Sequence, residues 1–215
     1  LDEEDQIDII STKNSAYGYL AVNGGFDLEK TWDSYSINTK ANIGPNDGKK
    51  YSLNDKIFIK KSDTKNIIKK KINYIYSPDN IIRIIKGTNF HYFSKDAIDK
   101  FFNEDFLITN LVDRMGMRLK GPKLDNIVST NIKSEGLVRG VIQVPADGNP
   151  IIMLSDHGTV GGYPKIGVVI TADLDFAGQL TPGTKIKFKE VSLEEAQNIF
   201  KAYKDDTDKY LNENN

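Results

Sequence analysis

The sequence predicts a mainly β protein, a barrel or sandwich carrying a few helices. Short runs of β-branched and aromatic residues recur along the 215 residues. Turn signals separate them at intervals of roughly ten residues, and only two segments carry a convincing helical period.

The first strand-like runs are "IDII" (7–10) and "YGYLAV" (17–22), followed by "NGG" at 23–25, whose residues tolerate positive φ. "KIFIK" (56–60), "INYIY" (72–76) and "IIRII" (81–85) read as further strands. "SKDAIDKFFNE" (94–104) breaks the pattern. Ser94 suits an N-cap, Asp96 suits the positive end of a helix dipole, and Ala97, Ile98, Phe101 and Phe102 form one stripe. "DRMGMRLKGP" (113–122) alternates Met115, Met117 and Leu119 with Arg114, Gly116, Arg118 and Lys120, which predicts a strand with one apolar and one cationic face.

"GVIQVPADGNPIIML" (140–154) reads as two strands joined through "ADGN", a hairpin signal, and "KIGVVIT" (165–171) and "TKIKFKEV" (184–191) are strands again. Ser192 and Glu195 stand in capping-box spacing, so a C-terminal helix opens there, and the final "TDKYLNENN" reads as a frayed tail. The expected organisation is one domain over 1–200 and a polar tail over 201–215.

Composition removes several function classes. With 29 basic and 30 acidic residues there is no global field to draw nucleic acid or an anionic membrane. The basic stretch 59–76 contains Asp63 and alternating apolar residues, and reads as a solvated loop and strand face. The absence of cysteine excludes disulfides, thiolate catalysis and Cys-ligated metal. His91 and His157 are too far apart in sequence for a local metal motif, so no metal site is expected, and His91 in "NFHYF" reads as a packed or half-buried aromatic neighbour. No apolar run approaches the roughly 18 residues of a spanning helix. The acidic start "LDEEDQ" is not a signal peptide, which makes the cytoplasm the expected location.

The densest chemistry lies in "SDHGTVGGYPKIG" (155–167). Gly161 and Gly162 let backbone N–H groups approach a ligand, Tyr163 offers a ring and a hydroxyl, and Pro164 stiffens the exit. His157 is the side-chain type suited to carrying protons near neutral pH, while Lys165 suits a carboxylate or carbonyl oxygen. The same residues also suit a tight turn in which the glycines serve geometry and His157 is idle. Arg114 and Arg118, four apart on a strand, point the same way about 13 Å apart. One would hold an anion while the other pairs with Asp113 or Glu135, or both line a solvated face. Glu135, Gln143 and Asp147 are polar groups near strand ends. No dinucleotide fingerprint, phosphate loop or Ser-His-Asp set is present.

Taken in order, "YGYLAVNGGFDLEKTWDSYSINTKANIG", "DRMGMRLKGP", "SEGLVRGVIQVPADGNPIIMLSDHGTVGGYPKIGVVITADL" and "LTPGTKIKFKEVSLEEA" resemble the allophanate hydrolase subunit 2 family. That family is also called the biotin-dependent carboxyltransferase family or the family of 5-oxoprolinase C subunits, and the resemblance runs over 17–197. It implies a cyclophilin-like β-barrel that pairs with a subunit 1 protein (KipI-like, the B-type member of 5-oxoprolinase). With a further A-type protein, such a pair is an ATP-dependent 5-oxoprolinase that opens a small-molecule lactam to glutamate. ATP is then bound at the level of the complex rather than by this chain alone.

The alternative it implies is a carboxyltransferase of the urea carboxylase type. Biotin would then arrive on another chain, since "MGM" lacks the attachment lysine. A second alternative is a non-catalytic regulator that binds a subunit 1 partner. By position, Thr159, Gly161, Gly162, Tyr163 and Lys165 fall in the family's Gly-Gly-Tyr-Pro segment with His157, and Arg114, Gly116 and Arg118 in its Arg-Met-Gly segment. The implied roles are a substrate carboxylate on Lys165 or Arg114, proton transfer by His157 and Tyr163, and negative charge held by the Gly161 and Gly162 N–H groups. Arg118, Thr159, Glu135 and Gln143 complete the binding set. The family's Gly-Ser-Arg-Ser-Thr appears here as "DSYSI" (33–37), without the arginine, and its following Gly-Gly as "GP" (44–45). Members carry a further segment before the "YLAV" strand, so a short member, a split gene product or a fragment is expected.

Overall fold

Alternation of buried and exposed residues builds the barrel wall. Ile82 and Ile84 on β1 (Ile81–Lys86), Phe106 and Ile108 on β2 (Phe106–Val112), and Met117 and Leu119 on β3 (Gly116–Lys120) all face the core. The same holds for Ile186 and Phe188 on β9 (Lys185–Glu190). Between them come β4 (Glu135–Gly136), β5 (Val141–Gln143), β6 (Ile151–Met153), β7 (Val160–Gly161) and β8 (Lys165–Val169). The computed structural model describes residues 6–12, 15–62 and 79–212.

Seven strands close in the order β1-β8-β5-β6-β3-β2-β9, and β4 and β7 form a separate two-stranded ribbon. Neighbours in the barrel are antiparallel except β1 and β9, whose parallel pairing of Ile81 with Lys187 through Ile84 with Glu190 closes it. The predicted hairpin is present, with Ile142 opposite Ile152.

Helix α1 (Lys95–Asn103) starts where its cap is: Ser94 Oγ accepts from the Ala97 N–H at 3.1 Å. Its apolar stripe delivers Phe101 onto Phe188, stacked at 4.5 Å, with Phe106 edge-on at 6.0 Å. Helix α3 (Leu193–Asn212) opens with a reciprocal box, Ser192 N–H to Glu195 Oε2 at 2.7 Å and Glu195 N–H to Ser192 Oγ at 3.1 Å.

The structure departs from the sequence reading at several elements. The mainly β barrel with a C-terminal helix stands, and among the described residues there are three α-helices rather than two. The third, α2 (Leu174–Gln179), follows a 3-10 turn at Thr171–Asp173 that Arg83 fastens to β1 through Asp173, Nη2 to Oδ1 at 2.5 Å. Strand β2 is an element that the sequence pattern does not announce. Helix α3 continues to Asn212, through much of the predicted tail. The strand predicted over 113–122 begins only at Gly116, because Asp113 accepts from the Met115 and Gly116 N–H groups and turns the chain before it.

Residues 7–10 lie in no ladder and are exposed; nearby, Ala16 and Tyr17 bond Gln179. "INYIY" and most of the basic stretch lie outside the described residues.

The chain divides into two compact units, Gly18–Lys71 and the remainder that carries the barrel. The described part of the smaller unit is held by isolated bridges, Phe26 to Ile59, Thr31 to Ser34 and Asn38 to Ile43, and one 3-10 turn at Asn46–Gly48. The predicted strands 17–22 and 56–60 therefore reduce to the single Ile59 bridge. A β-prone run becomes a strand only with a partner along its length, and residues 18–22 have none among the described residues. Trp32 and Leu53 stand 83% and 92% exposed, and Gly24 and Gly25 adopt the positive φ that "NGG" predicts.

Candidate functional site

One row of residues runs across the outer wall of the barrel. Arg118 on β3 pairs with Ile151 on β6, Ile151 with Gln143 on β5, and Gln143 with Lys165 on β8. Their chain neighbours Met117, Ile152, Ile142 and Ile166 are core residues, so the row faces outward. Three strand spacings, about 14 Å, separate its ends. The predicted site residues gather at these two ends rather than in one place.

At the β8 end the β4–β7 ribbon covers the wall. Lys165 is 3% exposed, and its Nζ lies 2.9 Å from Oε2 of Glu135, the first residue of β4. Glu135 Oε1 accepts from Asn89 Nδ2 at 3.4 Å, and the Asn89 Oδ1 accepts from the Lys165 backbone N–H at 3.1 Å. The lysine hydrogen bond holds the Glu135 carboxyl below its usual range; burial opposes this, and Asn89 adds to it. Gln143 is buried and donates to the Tyr163 carbonyl at 3.3 Å. Gly161 lets the ribbon lie close to the wall there, since a Cβ would stand 2.6 Å from Gln143 Nε2 and 2.9 Å from Leu137 Cδ1, side-chain ends that would have to shift. Gly87 is tighter still, with the Lys165 carbonyl oxygen 2.3 Å from a Cβ.

Gly161 pairs with Glu135, and Leu137 N–H donates to the Thr159 carbonyl. By the alternation of an antiparallel ladder, Gly161 and Glu135 exchange backbone bonds, which engages the Gly161 N–H within the ribbon. The Gly162 carbonyl accepts from Ile132, and the side chains of Thr159 and Tyr163 are exposed.

The β3 end is built by the turn at 113–116 and the loop at 154–158. Leu154 N–H donates to the Met115 carbonyl at 3.0 Å and Asp156 N–H to the Arg114 carbonyl at 2.8 Å. Arg114 lies in that turn, not on the strand, and grips Asp156 with both forks, Nε to Oδ2 at 2.7 Å and Nη2 to Oδ1 at 2.9 Å. Arg118 reaches Asp147 instead, Nη1 to Oδ2 at 2.6 Å. The salt bridges of the two arginines thus form with Asp156 and Asp147, where the sequence pointed to Asp113 or Glu135, because the turn aims the side chains apart. Burial pushes the Asp147 carboxyl up, but the Asn149 amides and Arg118 outweigh it and hold it below its ordinary range.

His157 Nδ1 lies 2.6 Å from the Gly158 carbonyl oxygen. A carbonyl only accepts, so Nδ1 is the donor in this contact, and whenever the ring is neutral the lone pair lies on Nε2. His91 is an aromatic neighbour, edge-on to Tyr92 at 4.5 Å, but it is exposed rather than packed or half-buried. Beside this end an open groove of about 430 Å³ runs over β2, β3 and β6, lined by Asn110, Met115, Gly116, Arg118, Met153 and Gly158 among others. Among the described residues no three His, Asp or Glu side chains converge as metal ligands, and no helix is long and apolar enough to cross a membrane.

Sequence reasoning misses Asn89, Asp156 and the groove wall at Asn110 and Met153. Asn89 in "GTNF" carries only a turn signal, and its partners lie 46 and 76 residues away.

Residues 1–190 match the family model of the carboxyltransferase domain, subdomain A and B. Over 178 residues the chain is 35% identical to the 5-oxoprolinase C subunit of Escherichia coli (strain K12), covering 83% of this chain and 57% of that protein. Over 188 residues it is 33% identical to the 5-oxoprolinase C subunit of Haemophilus influenzae, covering 87% and 60%. The chain therefore spans less than two thirds of the length of either relative. The crystal structure of Kluyveromyces lactis urea amidolyase has the same fold, with a TM-score of 0.76 at 24% identity over 88% of this chain and 13% of that one. A family model that takes in the whole barrel, both ends of the polar row and the groove between β2 and β6 makes this chain a member of the carboxyltransferase-domain, subdomain A and B, family.

Proposed function

We propose that this chain takes the place of the C subunit in an ATP-dependent 5-oxoprolinase, opening the lactam of 5-oxoproline to glutamate together with A-type and B-type partner proteins. The observation that carries the reading is the 35% and 33% identity to two 5-oxoprolinase C subunits, along 83% and 87% of this chain.

The chemistry suits the geometry. Lactam opening adds water across the ring amide: the hydroxyl goes to the carbonyl carbon, the C–N bond breaks, and the nitrogen takes a proton. In this reading His157, one residue before Gly158 of the groove wall, takes the proton from water and returns it to the leaving nitrogen, whereas Tyr163, next to Gln143 at the other end of the row, takes no part in that transfer. In this reading ATP is bound at the level of the complex, on a partner protein. Lys165, buried against Glu135, holds the ribbon in place and leaves the substrate carboxylate to another cation.

The family's description favours a second reading, carboxyl transfer from a biotin carried on another chain. Reconstitution separates the two. This chain, copurified with its A-type and B-type partners, is expected to release glutamate from 5-oxoproline only with ATP, and His157→Ala is expected to abolish release while the complex stays intact. A stable complex that leaves 5-oxoproline untouched overturns the reading. Biotin-dependent carboxylation of an amide by the same chain establishes the second.

A further inference from the structure

We propose that the groove over β2, β3 and β6 binds a small carboxylic acid with a compact ring or apolar body, its carboxylate held by the Nη2 and Nε edge of Arg118. The inference deepens the 5-oxoprolinase reading and rests on it for the identity of the natural ligand.

Three cations compete for a substrate carboxylate, and their partners decide between them. The Lys165 ammonium is buried on Glu135, and the Arg114 fork is filled by Asp156. Among the described residues Arg118 has one side-chain partner, Asp147, which takes Nη1 alone. Asp147 comes from the β5–β6 connection, beyond the Arg118–Ile151 pair, whereas Gly116 and Met153 lie on the other side of that pair. The guanidinium is thus anchored through Nη1, Arg118 lines the groove, and its Nε and Nη2 form the edge that can receive a carboxylate in two parallel bonds.

The rest of the groove suits the body of such an acid. Ile151, Met153, Met115 and Leu111 give it apolar walls, and Asn110 adds an amide at the rim. Gly116 opens the floor: a Cβ there would come within 3.3 Å of Ile151 Cγ2 and of the Ile152 carbonyl oxygen. A volume of about 430 Å³ accepts a small organic acid with water beside it. Gly158, whose carbonyl oxygen contacts His157 Nδ1, borders the groove.

Methionine methyl NMR on the full chain tests this directly, because Met115 and Met153 line the groove whereas Met117 is 0% exposed in the core. The probes are 5-oxoproline, cyclopentanecarboxylate, which keeps ring and carboxylate without the lactam, and 2-pyrrolidinone, which keeps the lactam without the carboxylate. Both acids are expected to shift the Met115 and Met153 methyls and leave Met117 still, with 2-pyrrolidinone weaker by about tenfold or more. Arg118→Gln is expected to weaken both acids by the same factor with the Met117 resonance unmoved, which controls for the fold. Equal binding of the acids to Arg118→Gln, or silent Met115 and Met153 methyls at tens of millimolar acid, overturns the proposal. Binding of both acids by a chain whose assembled complex does not turn over 5-oxoproline upholds the groove and removes only the 5-oxoprolinase reading.

Discussion

Lys165 Nζ lies 2.9 Å from Glu135 Oε2, and this pair fastens the β4–β7 ribbon to the barrel wall. The partners are unequally buried: 4% of the lysine side chain meets solvent against 43% of the glutamate. Removing either one therefore has a different cost. Glu135→Ala strands a buried ammonium and is expected to destabilise the chain by about 2 kcal/mol, solvent at Glu135 keeping the loss below that of a fully buried pair. Lys165→Met leaves a carboxylate that water can reach, and is expected to cost under about 1 kcal/mol. Urea unfolding of the two variants checks the order; the reverse order refutes it.

The same pair sets part of the acid limb of stability. The Glu135 pKa is depressed in the folded chain, so its contribution is fully present above its ordinary unfolded value, near pH 4, and is lost as pH falls through the lower folded value. Stability is expected to decline below about pH 4, and Glu135→Gln to decline less steeply there than the parent. Parallel acid limbs would show that Glu135 is not linked to folding.

Two glycines are expected to differ sharply. Gly87→Ala drives a Cβ against the Lys165 carbonyl oxygen, a backbone atom, and is expected to cost about 3 kcal/mol or more. Gly161→Ala meets the ends of Gln143 and Leu137, which can yield, and is expected to cost about 1 kcal/mol. Combining Gly161→Ala with Gln143→Ala is expected to fall short of additivity, since the second change removes the Gln143 part of the clash and leaves only that with Leu137. Thermal melts of the single and double variants measure both comparisons.

Ser94→Ala removes the acceptor for the Ala97 N–H and is expected to cost about 1 kcal/mol. Ser94→Asp restores an acceptor and is expected to recover most of it. A loss of similar size in both variants would locate the effect in packing rather than in the cap.

Local chemistry makes some elements legible in the sequence. Ser94 and the Ser192–Glu195 box announce helix starts within a few residues of chain, and the alternation of Ile82, Ile84, Ile186 and Phe188 announces walls that bury one face. The runs at 7–10 and 17–22 carry the same composition and form no strand, because strand formation is decided by a partner that composition does not name. The alternating pattern sets Arg114 and Arg118 on one strand face because it runs through both. The Asp113 side chain, by capping the Met115 and Gly116 N–H groups, confines the strand to Gly116 onward, two residues after Arg114. The residue types of the site are legible through the 155–167 stretch and the family resemblance. Their division between two ends of a row is not, since it depends on the lateral register of β3, β6, β5 and β8, of which only the β5–β6 hairpin is announced by a turn signal.

Strand β9 bonds β1 on one side and β2 on the other, although roughly a hundred residues separate β1 from β9. A ribosome delivers β1, β2 and every other strand of the wall before β9. Until Glu190 has cleared the exit tunnel, two strand edges remain without hydrogen-bond partners, and they offer themselves to any neighbouring chain. The newly made protein thus passes through a long interval of exposure that ends in a single closing step, and its yield in the cell depends on what shields those edges in the meantime.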